Sequence, residues 1–270
     1  MLEHIKYYKP YIVPKTKIWE ADLYDTYHSF VAEYGKELLS LLNPQPRELI
    51  LDLGCGTGDI TNSIAQLSAN VIGLDSSTTM IERAIEKFPK IDFRCMDIYD
   101  MTFDNQFDSI FSNATLHWLL NPELAIQKMF DALKPKGKLV VEFGGHGNVK
   151  NIQASLQNTL YNFGHTANSK LKVWYFPTIS EYTTLLENNG FAVSMAILYD
   201  RTTILEGDEG MNNWIKQFAS GYFDKLLTNQ VDRVMETMID NKFSKLRSTN
   251  LVDGIWTADY VRLRIVATKK

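Results

Sequence analysis

The chain has 270 residues, 45% hydrophobic and 22% charged, with 28 Lys and Arg against 32 Asp and Glu for a formal net charge of -4. That composition belongs to a globular protein with a large buried core and excludes long disorder or a fibrous repeat. No stretch concentrates Lys and Arg, which excludes a phosphate-tracking surface and therefore nucleic acid as a partner.

The first residues, MLEHIKYYKPYIVPK, are broken by charges and two prolines, so no secretory signal is expected there. No segment approaches the roughly 20 apolar residues that cross a bilayer, and the expectation is a soluble cytoplasmic protein without a membrane partner. Cys55 and Cys95 are far apart and lack CxxC or Cys/His spacing, so they read as free thiols and no metal is expected.

In chain order, Trp19, Leu23, Tyr27, Phe30, Val31, Tyr34, Leu38 and Leu41 are spaced for helices with one buried face, stopped by Asn43-Pro44-Gln45-Pro46. Leu49 to Leu53 is a short apolar run of the kind that forms a buried parallel strand. A helix from Asp59 to Leu67, a strand from Asn70 to Leu74 and a helix from Ser77 to Phe88 follow, the last stopped by Pro89. Strands are expected at Ile91 to Cys95, Phe107 to Phe111 and Lys138 to Phe143, with a helix opened by Asn121-Pro122 and running to Leu133.

Such alternation over about 100 residues requires βαβ units, hence a doubly wound α/β sheet of the Rossmann-like class. From Gly144 to Lys172 the pattern lapses into a polar stretch. Thr178 to Asn189 is then helical, Phe191 to Tyr199 is a sixth strand, Gly207 to Phe243 reads as two or three amphipathic helices, and Tyr260 to Thr268 is a closing strand. The expected organisation is N-terminal helices over 1–46 covering the cofactor site, a cofactor-binding core over 47–144, a helical cap insertion with the sixth strand over 145–255, and the final strand over 256–270.

The strongest chemical signal is Leu51-Asp52-Leu53-Gly54-Cys55-Gly56-Thr57-Gly58, with glycines at alternate positions between a strand and a helix. Glycine lets the backbone turn sharply and approach a ligand where a Cβ would collide, and ligands of open α/β sheets bind at the carboxyl ends of strands where strand order reverses. Asp75 ends the second strand, where a carboxylate can accept both hydroxyls of a ribose. Asp97 follows the third, placed to accept from an adenine amino group. Cys55, inside the loop, reads as packed beneath the ligand, with no positioned base beside it.

The LDLGCGTG string, Asp75, Asp97, the Asn113-Ala114-Thr115-Leu116-His117-Trp118 segment and Leu133-Lys134-Pro135-Lys136-Gly137 resemble the class I S-adenosylmethionine-dependent methyltransferases. Tyr175-Phe176-Pro177, Glu181-Tyr182, Trp214 and Asp259-Tyr260-Val261-Arg262-Leu263-Arg264 are similar to the trans-aconitate 2-methyltransferase group. The resemblance implies a seven-stranded sheet with an antiparallel last strand and S-adenosyl-L-methionine as cofactor. It assigns cofactor contacts to Asp52, Gly54, Cys55, Gly56, Asp75, Ser76, Met80, Asp97, Ile98 and Asn113.

His117 is either a packed residue or a catalytic base, and Trp118, Tyr175, Arg201 and Arg262 are candidate substrate contacts. The expected acceptor is a small molecule, with a carboxylic acid methylated on oxygen as the leading reading, by a monomer or homodimer. The alternatives are an NAD-dependent oxidoreductase and a non-catalytic S-adenosylmethionine-binding module.

Overall fold

The computed structural model describes residues 37–67, 70–242 and 244–270. The expected helices carrying Tyr24 and Tyr27 lie outside these residues; within the described part, residues 37–42 are helical. In chain order the elements are β1 (Leu49–Leu53), α1 (Asp59–Gln66), β2 (Asn70–Asp75), α2 (Thr78–Lys87), β3 (Asp92–Cys95), β4 (Phe107–Asn113), α3 (Pro122–Ala132) and β5 (Leu133–Gly144). They continue with α4 (Lys150–Asn162), α5 (Thr166–Ser169), α6 (Ile179–Asn188), β6 (Phe191–Asp200), β7 (Thr203–Ile204), α7 (Gly210–Phe218), α8 (Thr228–Ile239), α9 (Lys245–Asn250), β8 (Leu251–Val252), β9 (Ile255–Ala258) and β10 (Val261–Lys269).

Seven strands form the main sheet in the order β3-β2-β1-β4-β5-β10-β6. Pairing is parallel from β3 to β5, and β10 runs antiparallel to both β5 and β6. Winding starts at β1 and proceeds outward in both directions, so the strand order reverses between β1 and β4. Their carboxyl ends therefore open a crevice. Apolar residues cover both faces: Leu51, Leu53, Ile110, Val141 and Leu263 pack under α3 and α6, while Ile50, Val71, Phe111 and Val140 pack against Leu38, Leu42 and Ile64.

Local chemistry accounts for the helix starts. Asn121 accepts a hydrogen bond from the Leu124 amide and Pro122 opens α3, while Thr178 and Glu181 form a reciprocal cap at the start of α6. The polar stretch expected over 144–172 is instead largely helical, because α4 buries Ile152, Leu156 and Leu160 along one side. That stripe is narrow and set among Asn, Gln, Ser and Lys, which hides it from a reading of average polarity.

Within residues 145–255 the chain serves two cores. Tyr182, Leu186 and Phe191 join the main sheet, whereas Val149, Ile152, Leu156, Trp174, Met211, Trp214, Ile215, Tyr222, Val234 and Met238 build a separate cap core together with Trp256, Ala258 and Tyr260. A small sheet in the order β7-β9-β8 belongs to this cap. Among the described residues no helix is long and apolar enough to cross a membrane.

Candidate active site

The glycine loop follows β1 at the crevice. Gly54 has φ of +75°, and a Cβ there would lie 2.0 Å from Thr115 Oγ1, so the loop after β4 packs directly on it. Gly56 also has positive φ, at +55°, but no described atom lies within 4 Å of where its Cβ would stand. Gly54 is required by its neighbour; Gly56 keeps a space open. Cys55 is buried and packs with Ile81, Ala84 and Phe93, and burial pushes its thiol well above its usual range, so it is no nucleophile.

Asp52 closes this loop from below. It is 2% exposed, and its carboxylate accepts a hydrogen bond from Thr61 Oγ1 at 2.6 Å. Burial pushes its pKa up to about 7 against the opposing Thr61 bond, with the charge of Asp75 adding to the rise. Asp52 has no cationic partner among the described residues. Asp75 binds the loop itself, accepting from the Gly56 amide at 3.0 Å and the Ser77 amide at 2.9 Å. Burial raises its pKa and those amides lower it.

Ser76 is exposed beside Asp75, while Met80 lies buried in the first turn of α2. Asp97 caps a short 3-10 turn by accepting from the Tyr99 amide at 2.9 Å, Ile98 is buried behind it, and Asn113 ends β4 opposite Glu142 of β5. Asp52, Gly54, Gly56, Asp75 and Asn113 thus lie on or next to the carboxyl ends of β1, β2 and β4. Asp97 and Ile98 continue the rim past β3.

His117 is 7% exposed, and its Nδ1 accepts from the Gly144 amide at 3.2 Å. That bond uses the Nδ1 lone pair, so the neutral ring carries its proton on Nε2. The expected base is therefore a hydrogen-bond donor in this arrangement. Its ring meets Trp118 at 5.2 Å and Phe176 at 5.8 Å, and the aromatic wall continues from Phe176 to Trp174 at 5.6 Å, to Trp214 at 6.3 Å and on to Tyr260 at 6.2 Å.

Trp118 belongs to this wall, but Tyr175 does not. In the extended segment around it, side chains alternate: Trp174 and Phe176 face the cap core, while the Tyr175 ring packs near Tyr182 at 6.4 Å on the main-sheet side. Its amide donates to the His117 carbonyl at 2.8 Å, so Tyr175 positions the wall through its backbone. Trp174, Phe176 and Tyr260 take the place expected for its ring.

The three arginines divide into two roles. Glu142, 1% exposed near the carboxyl end of β5, accepts from Arg201 Nη1 and Arg264 Nε, both at 2.6 Å, and from the Tyr199 hydroxyl at 2.7 Å. Burial and the bond to Glu142 push Tyr199 up to about 12, keeping it a neutral donor. Arg201 is committed to this network and is not a free anion-binding group, contrary to expectation.

Arg262 differs. It pairs across β10 with Gly144, the residue held by His117, and so stands at the carboxyl edge. Its guanidinium lies 4.2 Å from the Tyr260 ring and the residue is 6% exposed. No hydrogen bond or ion pair links it to any described residue, and burial pulls its pKa down from the usual arginine value. Arginine nonetheless remains charged in proteins.

Among the described residues nothing stands over Gly56 and no cation meets the buried Asp52 carboxylate, which fits a ligand that brings an ammonium group and lies across the loop. Residues 51–141 match the family described as Methyltransferase domain. An uncharacterized methyltransferase of Schizosaccharomyces pombe is 31% identical over 263 residues, covering 93% of this chain and 98% of that one. The trans-aconitate 2-methyltransferase of Deinococcus radiodurans is 28% identical over 215 residues, covering 74% of this chain and 80% of that one.

A Bacillus halodurans protein solved as a candidate methyltransferase superimposes with a TM-score of 0.61 at 16% identity, over 88% of this chain and 99% of that one. The reversal of strand order, the glycine loop at that point and these similarities lead to one conclusion: the chain belongs to the S-adenosylmethionine-dependent methyltransferases.

Proposed function

We propose that the protein methylates a small carboxylic acid on oxygen, beneath the cap, with Arg262 holding an ionised carboxylate of the acceptor. The observation that carries this reading is the buried Arg262 guanidinium, which has no anion paired with it among the described residues. A buried, unpaired charge costs several kcal/mol, which is retained where a ligand supplies the partner. Guanidinium suits that ligand because its paired donors match both carboxylate oxygens. The name of the Deinococcus relative, a trans-aconitate methyltransferase, supports an organic acid.

In this reading Asp52 faces the ammonium of the cofactor, Asp75 accepts from the ribose hydroxyls, Asp97 accepts from the adenine amine, and Gly54 and Gly56 leave room for the ligand. Cys55, Met80 and Ile98 pack around it, with Ser76 and Asn113 on the rim. When bound, S-adenosylmethionine supplies an electrophilic methyl carbon whose bond to sulfur breaks as the acceptor oxygen bonds to it, the electron pair leaving with sulfur. The protein's share is alignment, which is worth up to about 7–11 kcal/mol when reacting atoms are held in line.

A carboxylate is already ionised at neutral pH, so no proton has to be removed. This agrees with a His117 whose Nδ1 lone pair is taken up by the Gly144 amide. A guanidinium clamped on the reacting oxygens would lower their nucleophilicity. Arg262 therefore fits best on a second carboxylate that stays charged throughout.

A methylation screen over carboxylic acids, phenols and amines tests this, with product esters identified by alkaline release of methanol. Turnover of acids is expected, and Arg262→Gln is expected to raise KM for them at least about 10-fold, the effect of losing one charge-assisted pair. Turnover confined to amines or phenols and indifferent to Arg262→Gln would overturn the reading.

A further inference from the structure

Gln217 lies on α7, 3% exposed, and its Nε2 is buried without a hydrogen-bond partner. A buried amide left in that state costs about 1–3 kcal/mol. Nothing in the cap requires it, since Met211 and Ile215 already supply the apolar face of the helix.

The position of Gln217 is specific. It follows Trp214 by three residues, which puts both on one side of α7. The Trp214 indole nitrogen donates to the Tyr260 hydroxyl, and the Tyr260 ring lies beneath the Arg262 guanidinium. The Gln217 Nε2 donor thus stands one helical turn from Trp214, and the Arg262 guanidinium lies against Tyr260, the other member of the Trp214–Tyr260 joint between cap and sheet. Both can donate, and neither is matched by an acceptor within the described protein.

We propose that Gln217 is a specificity-determining residue whose amide donates to a carbonyl or carboxylate oxygen of the acceptor, other than the carboxylate held by Arg262. The enzyme then selects diacids that bear a third oxygen function, beside the reacting carboxylate and the one held by Arg262. This rests on the carboxylic-acid reading above. A site built to hydrogen-bond a substrate group rejects analogues that lack it, because the buried donor is again left unpaired.

The test compares matched acids, 2-oxoglutarate and propane-1,2,3-tricarboxylate against glutarate, in wild type, Gln217→Met and Gln217→Glu. Methionine keeps the volume and removes the donor; glutamate keeps the shape and opposes a carboxylate. Wild type is expected to prefer the acids with the third oxygen function in kcat/KM, and Gln217→Met to reduce that preference about 10-fold or more through KM. The thermal midpoint of Gln217→Met should not fall, because no internal hydrogen bond is broken. Gln217→Glu should reduce the preference further.

An unchanged preference in both variants, or a fall in midpoint with equal losses on acids with and without the third oxygen function, would overturn the assignment. If Arg262→Gln still raises KM for acids, the carboxylic-acid reading survives that result. If no acid is methylated by wild type, both fall together.

Discussion

Asp52 carries a carboxyl pKa of about 7 in a pocket with no described cation, and that has two measurable consequences. Because the folded-state value lies above the unfolded 3.8, the folded protein binds the extra proton. The associated stability is present below pH 4 and is lost as pH rises through about 7. A ligand ammonium favours the ionised form, so binding lowers this pKa and releases a proton. Affinity for S-adenosylhomocysteine is therefore expected to rise between pH 6 and 8, with proton release seen by calorimetry in buffers of different ionisation enthalpy. Asp52→Asn should flatten the dependence. The same pH slope in that variant would place the titrating group elsewhere.

At this scale the sequence is informative wherever function depends on near neighbours along the chain. Asp52, Gly54, Gly56 and Asp75 stand out because the loop is one continuous string and Asp75 ends the next strand. Arg201 could not be sorted from Arg262 in that way, since its partner Glu142 is 59 residues distant. Gln217 gave no signal, because an amide on an amphipathic helix looks like a surface residue until its burial is known. His117 stood out as a candidate because it follows the fourth strand, but its protonation site depends on the Gly144 amide 27 residues away.

Among elements, the seam formed by β5, β10 and β6 depends on Glu142. Its carboxylate satisfies two guanidiniums and the Tyr199 hydroxyl, so Glu142→Gln removes the buried carboxylate that Arg201 and Arg264 share, and the other carboxylate that pairs with both among the described residues is the exposed Glu37. Breaking one side of a buried ion network costs about 3–5 kcal/mol, whereas exposed pairs such as those of Glu37 contribute about 1 kcal/mol or less. A fall in thermal midpoint of about 6 °C or more is expected for Glu142→Gln, given roughly 2–4 °C per kcal/mol in a chain of this size. A midpoint within 1 °C of wild type would show that the network is not structural.

The strands of this seam were readable as elements. Leu49–Leu53 was expected over the same residues that form β1, and the last strand differs by one residue at each end, because fully buried runs admit one conformation. The helix at Lys150–Asn162 was not, since only a three-residue stripe of Ile152, Leu156 and Leu160 marks it. Cap strands β7 and β8, two residues each, are too short to carry a pattern.

On the scale of the whole molecule, two hydrophobic cores meet along the carboxyl edge of the sheet, and the aromatic wall from His117 to Tyr260 is their joint. The doubly wound architecture was legible because each βαβ unit repeats one local pattern. The joint was not, because it assembles residues from the turn after β4, the segment before α6, α7 and the residue that precedes β10. Such walls suit an enclosed site for a small acceptor, with apolar sides and a few placed polar groups. Under the proposed function, stability and activity oppose each other at Arg262, whose guanidinium gains an anion only from the acceptor.

Arg262 therefore gives the most direct measurement: calorimetric titration of the dicarboxylate that wild type methylates fastest into the S-adenosylhomocysteine complexes of wild type and Arg262→Met, with thermal melts alongside. The account predicts affinity lower by about 10-fold or more in the variant, from loss of a charge-assisted pair, and a thermal midpoint unchanged or raised because a buried charge is gone. Equal affinities, or a loss of affinity accompanied by a midpoint lowered by several degrees, would contradict it.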